Sequence, residues 1–196
     1  MKLNRLEFLL MNNPVRAAIQ RWVETPLLIG RGRPFAGQRV LEVGCGRGVG
    51  LQILLALGAR EAIGLDLDPR MVALARERLG RLDHRARVYL GDAEAIQEPD
   101  AVFDAVVDYG ILHHVPGWRC ALREIARVLR PGGAFYFEDL LRGFVAASMI
   151  RALLTHPQES QFTAEEFRQE LEAAGMRATR WHAFGRWAIA GEARRS

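Results

Sequence analysis

The 196-residue chain predicts an α/β fold, a doubly wound and mostly parallel seven-stranded sheet whose last strand is antiparallel in a C-terminal hairpin. Three observations predict it. Short apolar runs alternate with helical periodicities along most of the chain. The run at 102–108 is almost continuously apolar, as in a strand buried on both faces. The stretch at 40–50, VLEVGCGRGVG, places Gly44, Gly46, Gly48 and Gly50 directly behind the first of these runs.

Each element has its own signal. Residues 39–43 are the first strand, and 49–57 are apolar enough for a buried helix. Residues 62–66 form a second strand, after which Asp68 is a helix N-cap with Pro69 at the first helical position, opening a helix to about Leu79. Residues 86–90 and 102–108 are the third and fourth strands. Residues 117–129 are helical, with Ala121, Leu122, Ile125, Val128 and Leu129 on one face, and Pro131-Gly132-Gly133 stops them before a fifth strand at 134–138. Thr163 and Glu166 match a capping box, and Gly175 ends that helix. Residues 176–183 and 186–190 flank Phe184-Gly185 as a hairpin.

One domain is read over 1–196: a helical cap at 1–38, a core at 39–139, a lid at 140–162, and a helix with the hairpin at 163–196. The cap carries Leu3, Leu6, Leu10, Val15, Ala18, Ile19, Trp22 and Val23 at helical spacing, with Arg16 and Arg21 off that stripe. Packing on its own domain is the commoner fate of such a stripe. Covering an apolar ligand, or lying on an anionic membrane, are the alternatives.

Composition narrows the function classes. Charged residues make up 26% and hydrophobic residues 49%, as in an ordinary globular protein. No apolar run spans a bilayer, and a secretory signal pattern is missing, so the reading is cytoplasmic. Cys45 and Cys120 are far apart, which argues against a disulfide framework, and no Cys/His cluster has metal-ligand spacing. His113 and His114 are adjacent, a poor arrangement for shared ligation on a strand, where neighbours face opposite sides. Net charge is +4, unevenly spread: residues 1–39 carry seven basic and two acidic side chains, residues 175–196 five and one. The basic ends suit a solvated surface or the phosphates of lipid or nucleic acid.

In a doubly wound sheet, ligands lie beyond the carboxyl ends of the strands. The glycine spacing there does not fit the dinucleotide pattern G-x-G-x-x-G, since Val49 and Leu51 fall where its third glycine belongs. A tight packing turn is one explanation. A ligand lying against bare backbone is the other, and further residues at strand ends favour it. Asp66 ends the second strand and can accept from both ribose hydroxyls. Gly91-Asp92-Ala93 follows the third strand, and Tyr109-Gly110 the fourth.

Taken together, VLEVGCGRG, GLDLDPRM, GDAEAI, FDAVVDYGILHHV and VLRPGG resemble the class I S-adenosylmethionine-dependent methyltransferases, Rossmann-like enzymes. The LHHV element is similar to the branch with the ubiquinone and menaquinone methyltransferases and many small-molecule methyltransferases. The resemblance covers residues 40–139. It implies S-adenosylmethionine as cofactor and S-adenosylhomocysteine as product. It implies that Gly44, Cys45 and Gly46 lie against the methionine part, with Glu42 near its amino group and Tyr109 beside it. It further implies that Asp66 holds the ribose, Leu67 packs on the adenine, and Asp92 and Ala93 contact the adenine edge. The expected reaction is in-line methyl transfer to a small-molecule or lipid-like acceptor. His113, His114 and Glu138 are the candidates for a base, and a structural role at the strand end is the alternative for both histidines. No metal is expected. Nucleic acid is not an expected partner, because Asp108-Tyr109-Gly110-Ile111 stands where amino-group nucleic-acid methyltransferases carry Asp/Asn-Pro-Pro-aromatic. A phospholipid N-methyltransferase and a non-catalytic cofactor-binding regulatory module are the rival readings. The oligomeric state is not legible.

Overall fold

The computed structural model describes residues 13–30, 32, 34–80, 84–145 and 161–196. The lid at 140–162 lies outside them except for its first six residues and its last two, and the N-terminal stripe is described from Val15 onward. The strands make a seven-stranded sheet in the order β3-β2-β1-β4-β5-β7-β6, and the chain forms two compact units, 1–92 and 93–196.

In the first unit, β1 (Arg39–Val43), β2 (Glu61–Asp66) and β3 (Ala86–Leu90) run parallel, with Val43 opposite Leu65 and Asp66 opposite Leu90. Their carboxyl ends therefore lie at one edge. The connecting helices, named after the N-terminal pair α1 and α2 described next, are α3 (Val49–Ala56) and α4 (Pro69–Leu79). The Asp68 side chain accepts from Arg70 N–H at 2.9 Å, so the N-cap lies where the sequence places it. Met71, Val72, Ala75 and Leu79 form the buried face of α4.

A helical run precedes β1. Helix α1 (Pro14–Ile19) passes through a π turn (Gln20–Glu24) into α2 (Thr25–Leu28). Pro26 explains the π turn: its ring lacks an N–H and crowds the carbonyl four residues back. Thr25 instead donates both its N–H and its hydroxyl to Gln20 O. The expectation that this stripe packs on its own domain fails for its described part, and Leu3, Leu6 and Leu10 lie outside the described residues. Val15, Ala18, Ile19, Trp22 and Val23 are exposed, whereas Arg16, Gln20, Arg21 and Glu24 are half-buried.

In the second unit, β4 (Phe103–Tyr109) and β5 (Leu129–Leu140) are parallel, β7 (Ala188–Arg195) is antiparallel to β5, and β6 (Met176–Phe184) is antiparallel to β7. Helices α5 (Trp118–Val128) and α7 (Ala164–Ala173) flank this half, and a short α6 (Arg142–Val145) follows β5. The capping box forms in full: Thr163 Oγ1 accepts from Glu166 N–H at 3.2 Å and Glu166 Oε2 from Thr163 N–H at 2.7 Å. Trp118, Phe162, Phe167, Phe135 and Phe137 make a fully buried aromatic core.

Several boundaries differ from the sequence reading: β7 spans Ala188–Arg195 where 186–190 is expected, and β5 continues to Leu140, past 138, because the two strands pair along that length. Strand β5 begins at Leu129, before Pro131-Gly132-Gly133: Leu129 pairs with Phe103 and Ala134 with Ala105, so residues 130–133 bulge out of the ladder. A bulge tolerates proline's missing N–H and Gly132's φ of +77°. The β-then-α alternation also lapses after β3, where residues 91–102 contain no helix. Arg127 binds the second-unit part of that stretch, donating to Ile96 O and Glu98 O, both at 2.8 Å, and pairing with Asp100 at 2.6 Å.

Candidate functional site

In the first unit the loop after β1 turns through Gly44, Gly46 and Gly48, with φ of +66°, +50° and +79°. Only glycine takes these values without strain. A Cβ at Gly48 would press on Ala75 and Leu79 at 3.2 Å, so that glycine serves packing. Among the described residues, a Cβ at Gly46 would meet nothing within 4 Å. Relative to those residues Gly46 faces open space with bare backbone.

Asp66 holds this loop. Its Oδ2 accepts from Gly46 N–H at 2.9 Å and its Oδ1 from Asp68 N–H at 2.8 Å. Burial raises its pKa, while these two N–H groups pull the other way. A carboxylate has about four acceptor sites, so two backbone donors leave capacity for hydroxyl groups. Next to it Leu67 is 52% exposed, an apolar surface beside a polar anchor.

Glu42 is buried in β1. Its Oε2 has no hydrogen-bond partner among the described residues, and its pKa is raised well above the ordinary 4.5 by burial first and Asp66 second. An orphaned buried carboxylate is costly unless something cationic completes it. Cys45 turns its side chain away from the loop and into the sheet, where a Cβ at Gly64 would come within 2.7 Å of Sγ. Burial raises the thiol's pKa, with Glu42 and Asp66 adding to it, so this cysteine stays a neutral thiol. Asp92 is half-buried after β3. Arg47, between Gly46 and Gly48, donates to Asn13 O at 2.7 Å and ties the loop to the start of α1. Sequence reasoning did not single out Arg47.

In the second unit, Tyr109 ends β4 and is buried, as is Ala93. His113 and His114 lie on a 3-10 turn (Leu112–His114), not on a strand, and their rings approach to 3.9 Å. The argument that strand neighbours diverge therefore does not apply to them. His113 is buried, and its Nδ1 bonds Asp139 Oδ1. Asp139 also accepts from His113 N–H at 3.2 Å and Leu140 N–H at 2.7 Å. With the carboxylate as acceptor, Nδ1 is the donor of this bond. Glu138, the neighbour of Asp139 on β5, is half-buried. Asp108, fully buried, accepts from Ile111 N–H at 2.8 Å; burial and then Asp139 raise its pKa well above the usual range. Asp139 is legible in the sequence only as a candidate carboxylate pair with Glu138, and Asp108 not as a site residue at all, because a carboxylate inside an apolar strand gives no sign of what it faces. Among the described residues no group of three or more His, Cys, Asp or Glu could hold a metal ion.

A doubly wound sheet with a glycine loop, a pinned carboxylate and an orphaned buried acid at its strand ends defines a nucleoside-cofactor α/β protein. Such a site favours a ligand with a vicinal diol and an ammonium group, since the loop lacks the glycine spacing that cradles a pyrophosphate. Residues 41–137 match the family described as a methyltransferase domain. The chain is 29% identical over 161 residues to a ubiquinone biosynthesis O-methyltransferase of Sinorhizobium fredii, covering 75% of this chain and 63% of that protein. It is 39% identical over 125 residues to a fatty-acid O-methyltransferase of Mycolicibacterium smegmatis, covering 62% of this chain and 44% of that protein. The chain thus spans less than two thirds of either relative. A SAM-dependent methyltransferase from Aquifex aeolicus has the same fold, with a TM-score of 0.77 at 21% identity over the whole of both chains. The chain belongs to the class I S-adenosylmethionine-dependent methyltransferase superfamily.

Proposed function

We propose that this chain transfers the methyl group of S-adenosylmethionine to an apolar, lipid-like or quinol-type acceptor. The observation that carries the reading is the orphaned Glu42 Oε2 beneath a glycine loop that leaves open space at Gly46. Glu42 receives the cofactor's ammonium group, Gly44, Cys45 and Gly46 offer backbone, and Tyr109 lies beside the methionine part. Asp66 takes the ribose hydroxyls with its remaining lone pairs, Leu67 covers the adenine, and Asp92 and Ala93 meet its edge. The cofactor supplies a sulfonium-activated methyl group, so the protein's task is mainly alignment, which is worth about 7–11 kcal/mol of a barrier.

His113 is the base in this reading, with Asp139 as its positioning residue; the neighbouring His114 and Glu138 shape the surroundings. A base matters when the acceptor is a hydroxyl that must lose its proton. Support for an apolar acceptor comes from the relatives' names and from Phe144, Phe184 and Trp187. Phe184 and Trp187 are exposed on the β6–β7 hairpin tip, level with the carboxyl end of β5, where Leu140 pairs with Ala188. The lid expected at 140–162 belongs to this reading, as does peripheral contact of the basic N-terminal segment with a membrane. A phospholipid amine is the second reading, favoured by the carboxyl groups of Asp108, Glu138 and Asp139 at the ends of β4 and β5, which can accept hydrogen bonds from an amine.

Calorimetry with S-adenosylhomocysteine and NAD tests the cofactor: the first binds and the second does not. Methyl transfer to quinols, phenols, fatty acids and phosphatidylethanolamine then tests the acceptor. Turnover confined to small polar acceptors overturns the apolar reading, and S-adenosylhomocysteine binding without turnover on any of them favours a regulatory module.

A further inference from the structure

We propose that the outward face of the Pro14–Leu28 helical run docks on an anionic lipid bilayer. The proposal deepens the lipid-like acceptor reading by naming the surface through which such an acceptor's membrane is met. The run is inverted for a helix at a protein surface. Its exposed side is Pro14, Val15, Ala18, Ile19, Trp22, Val23 and Leu27, all apolar, with Val15 67%, Trp22 73% and Leu27 76% exposed.

The polar side faces inward and is tied down. Asn13 caps the helix through Arg16 N–H at 2.9 Å, Arg16 pairs with Glu24 at 2.6 Å, and Arg47 of the glycine loop holds Asn13 O. The π turn aligns the outer face. In an unbroken α-helix Leu27 would lie about 120° round from Val15, and the extra residue of a π turn rotates it back by about 100°.

Three occupants compete for this face. The chain's own described residues leave it exposed. A second copy needs about 800 Å² per partner for a stable dimer, whereas a 15-residue helix about 22 Å long and 10 Å wide offers only about 200 Å². A bilayer needs no such area, because binding there grows with apolar burial together with attraction to anionic lipid. The net charge of the segment in sequence suits it: residues 1–39 carry seven basic and two acidic side chains. Tryptophan also favours the membrane interface, and Trp22 lies mid-face.

The test is co-sedimentation of the full chain with vesicles of phosphatidylglycerol and phosphatidylcholine, compared with phosphatidylcholine alone. The wild type should bind the anionic vesicles more strongly, and brominated lipid should quench a fluorescence component missing in Trp22→Phe. The double change Ile19→Glu and Val23→Glu should weaken vesicle binding by about tenfold or more, because charge opposes burial in the interface. It should leave melting temperature and S-adenosylhomocysteine affinity unchanged. Unchanged vesicle binding in the double variant, or no binding by the wild type, overturns the proposal. A large drop in melting temperature does so too, by showing that the face is packed within the protein, and so does a wild-type dimer that the variant dissolves. Lost vesicle binding with intact turnover on a dispersed acceptor leaves the methyl-transfer reading standing; vesicle binding without S-adenosylhomocysteine affinity removes that reading alone.

Discussion

The carboxylate of Glu42 occupies the space that a side chain at position 50 would need. Gly50 has no positive φ, so its requirement is set by contact, unlike that of Gly44, Gly46 and Gly48. One stretch of glycines thus answers to two causes: three turn the chain, and the fourth admits a buried acid. Burying that acid costs free energy in the protein alone, so under the proposed reading Glu42 is kept for a ligand at the expense of stability.

Replacing Glu42 by Gln should therefore stabilise the free protein at neutral pH. The folded-state pKa of Glu42 lies above its unfolded value of 4.5. Its contribution is fully present below pH 4.5 and is lost as pH rises through the raised value, at about 1.4 kcal/mol for each pKa unit. Glu42→Gln removes that loss, with a melting temperature higher by about 2–4 °C per kcal/mol at neutral pH. The gain should shrink toward pH 4.5. The same change should weaken S-adenosylhomocysteine binding by about 1.5–3 kcal/mol, the worth of a hydrogen bond to a charged group. Scanning calorimetry across pH, beside titration calorimetry, checks both signs.

Two glycine substitutions separate ligand space from packing space. Gly46→Val places a branched side chain at φ +50°, where L-residues lose about 1–2 kcal/mol, but its Cβ meets no atom of the described residues within 4 Å. The fold should survive and cofactor binding should vanish. Gly64→Ala drives a methyl against Cys45 Sγ at 2.7 Å and Leu51 Cδ1 at 2.8 Å. It should cost about 1–3 kcal/mol of stability. Denaturant melts and S-adenosylhomocysteine affinity for both variants decide the point; intact affinity in Gly46→Val would show that the loop only packs.

Much of this was legible because local signals and the fold agree. The Asp68 cap, the Thr163–Glu166 box and the Gly175 stop sit where their side chains dictate, and strand ends follow the apolar runs closely. The first-unit candidates were legible by resemblance, since a glycine loop followed by a strand-end Asp66 is a local pattern. What escaped depends on long-range contact. Leu129 reads as the end of a helix, but Phe103 pairs with it and draws it into β5. Asp139 reads as the neighbour of Glu138, yet it is the one that meets His113, 26 positions earlier. The helical period of Val15–Val23 was plain, but period alone does not say which side faces in.

The His113–Asp139 pair gives a kinetic prediction. Asp139 orients the His113 ring through Nδ1, so Asp139→Asn should lower kcat while sparing S-adenosylhomocysteine affinity. His113→Gln should lower it by about 10²–10⁴-fold if the imidazole takes the acceptor's proton. An unchanged kcat in His113→Gln assigns the pair to structure alone.

Asp66 gives the sharpest test of the cofactor reading, because its two roles respond to different substitutions. Its oxygens already accept from Gly46 and Asp68 N–H, so Asp66→Ala loosens the glycine loop as well as removing a ligand for the ribose. Asp66→Asn keeps one accepting oxygen but turns an amide N–H toward a second backbone donor. Both variants should lose about 1.5–3 kcal/mol of S-adenosylhomocysteine affinity. The two roles part when the ribose hydroxyls are removed from the ligand. A 2′-deoxy analogue should bind wild type more weakly than S-adenosylhomocysteine and bind Asp66→Ala no worse, because the carboxylate that read the hydroxyl is gone. Equal penalties for the deoxy analogue in both proteins would leave Asp66 as a loop anchor and move ribose recognition to another residue. Hydrogen exchange at Gly46 N–H supplies the structural arm: it should accelerate in Asp66→Ala without ligand, since that donor then faces open solvent.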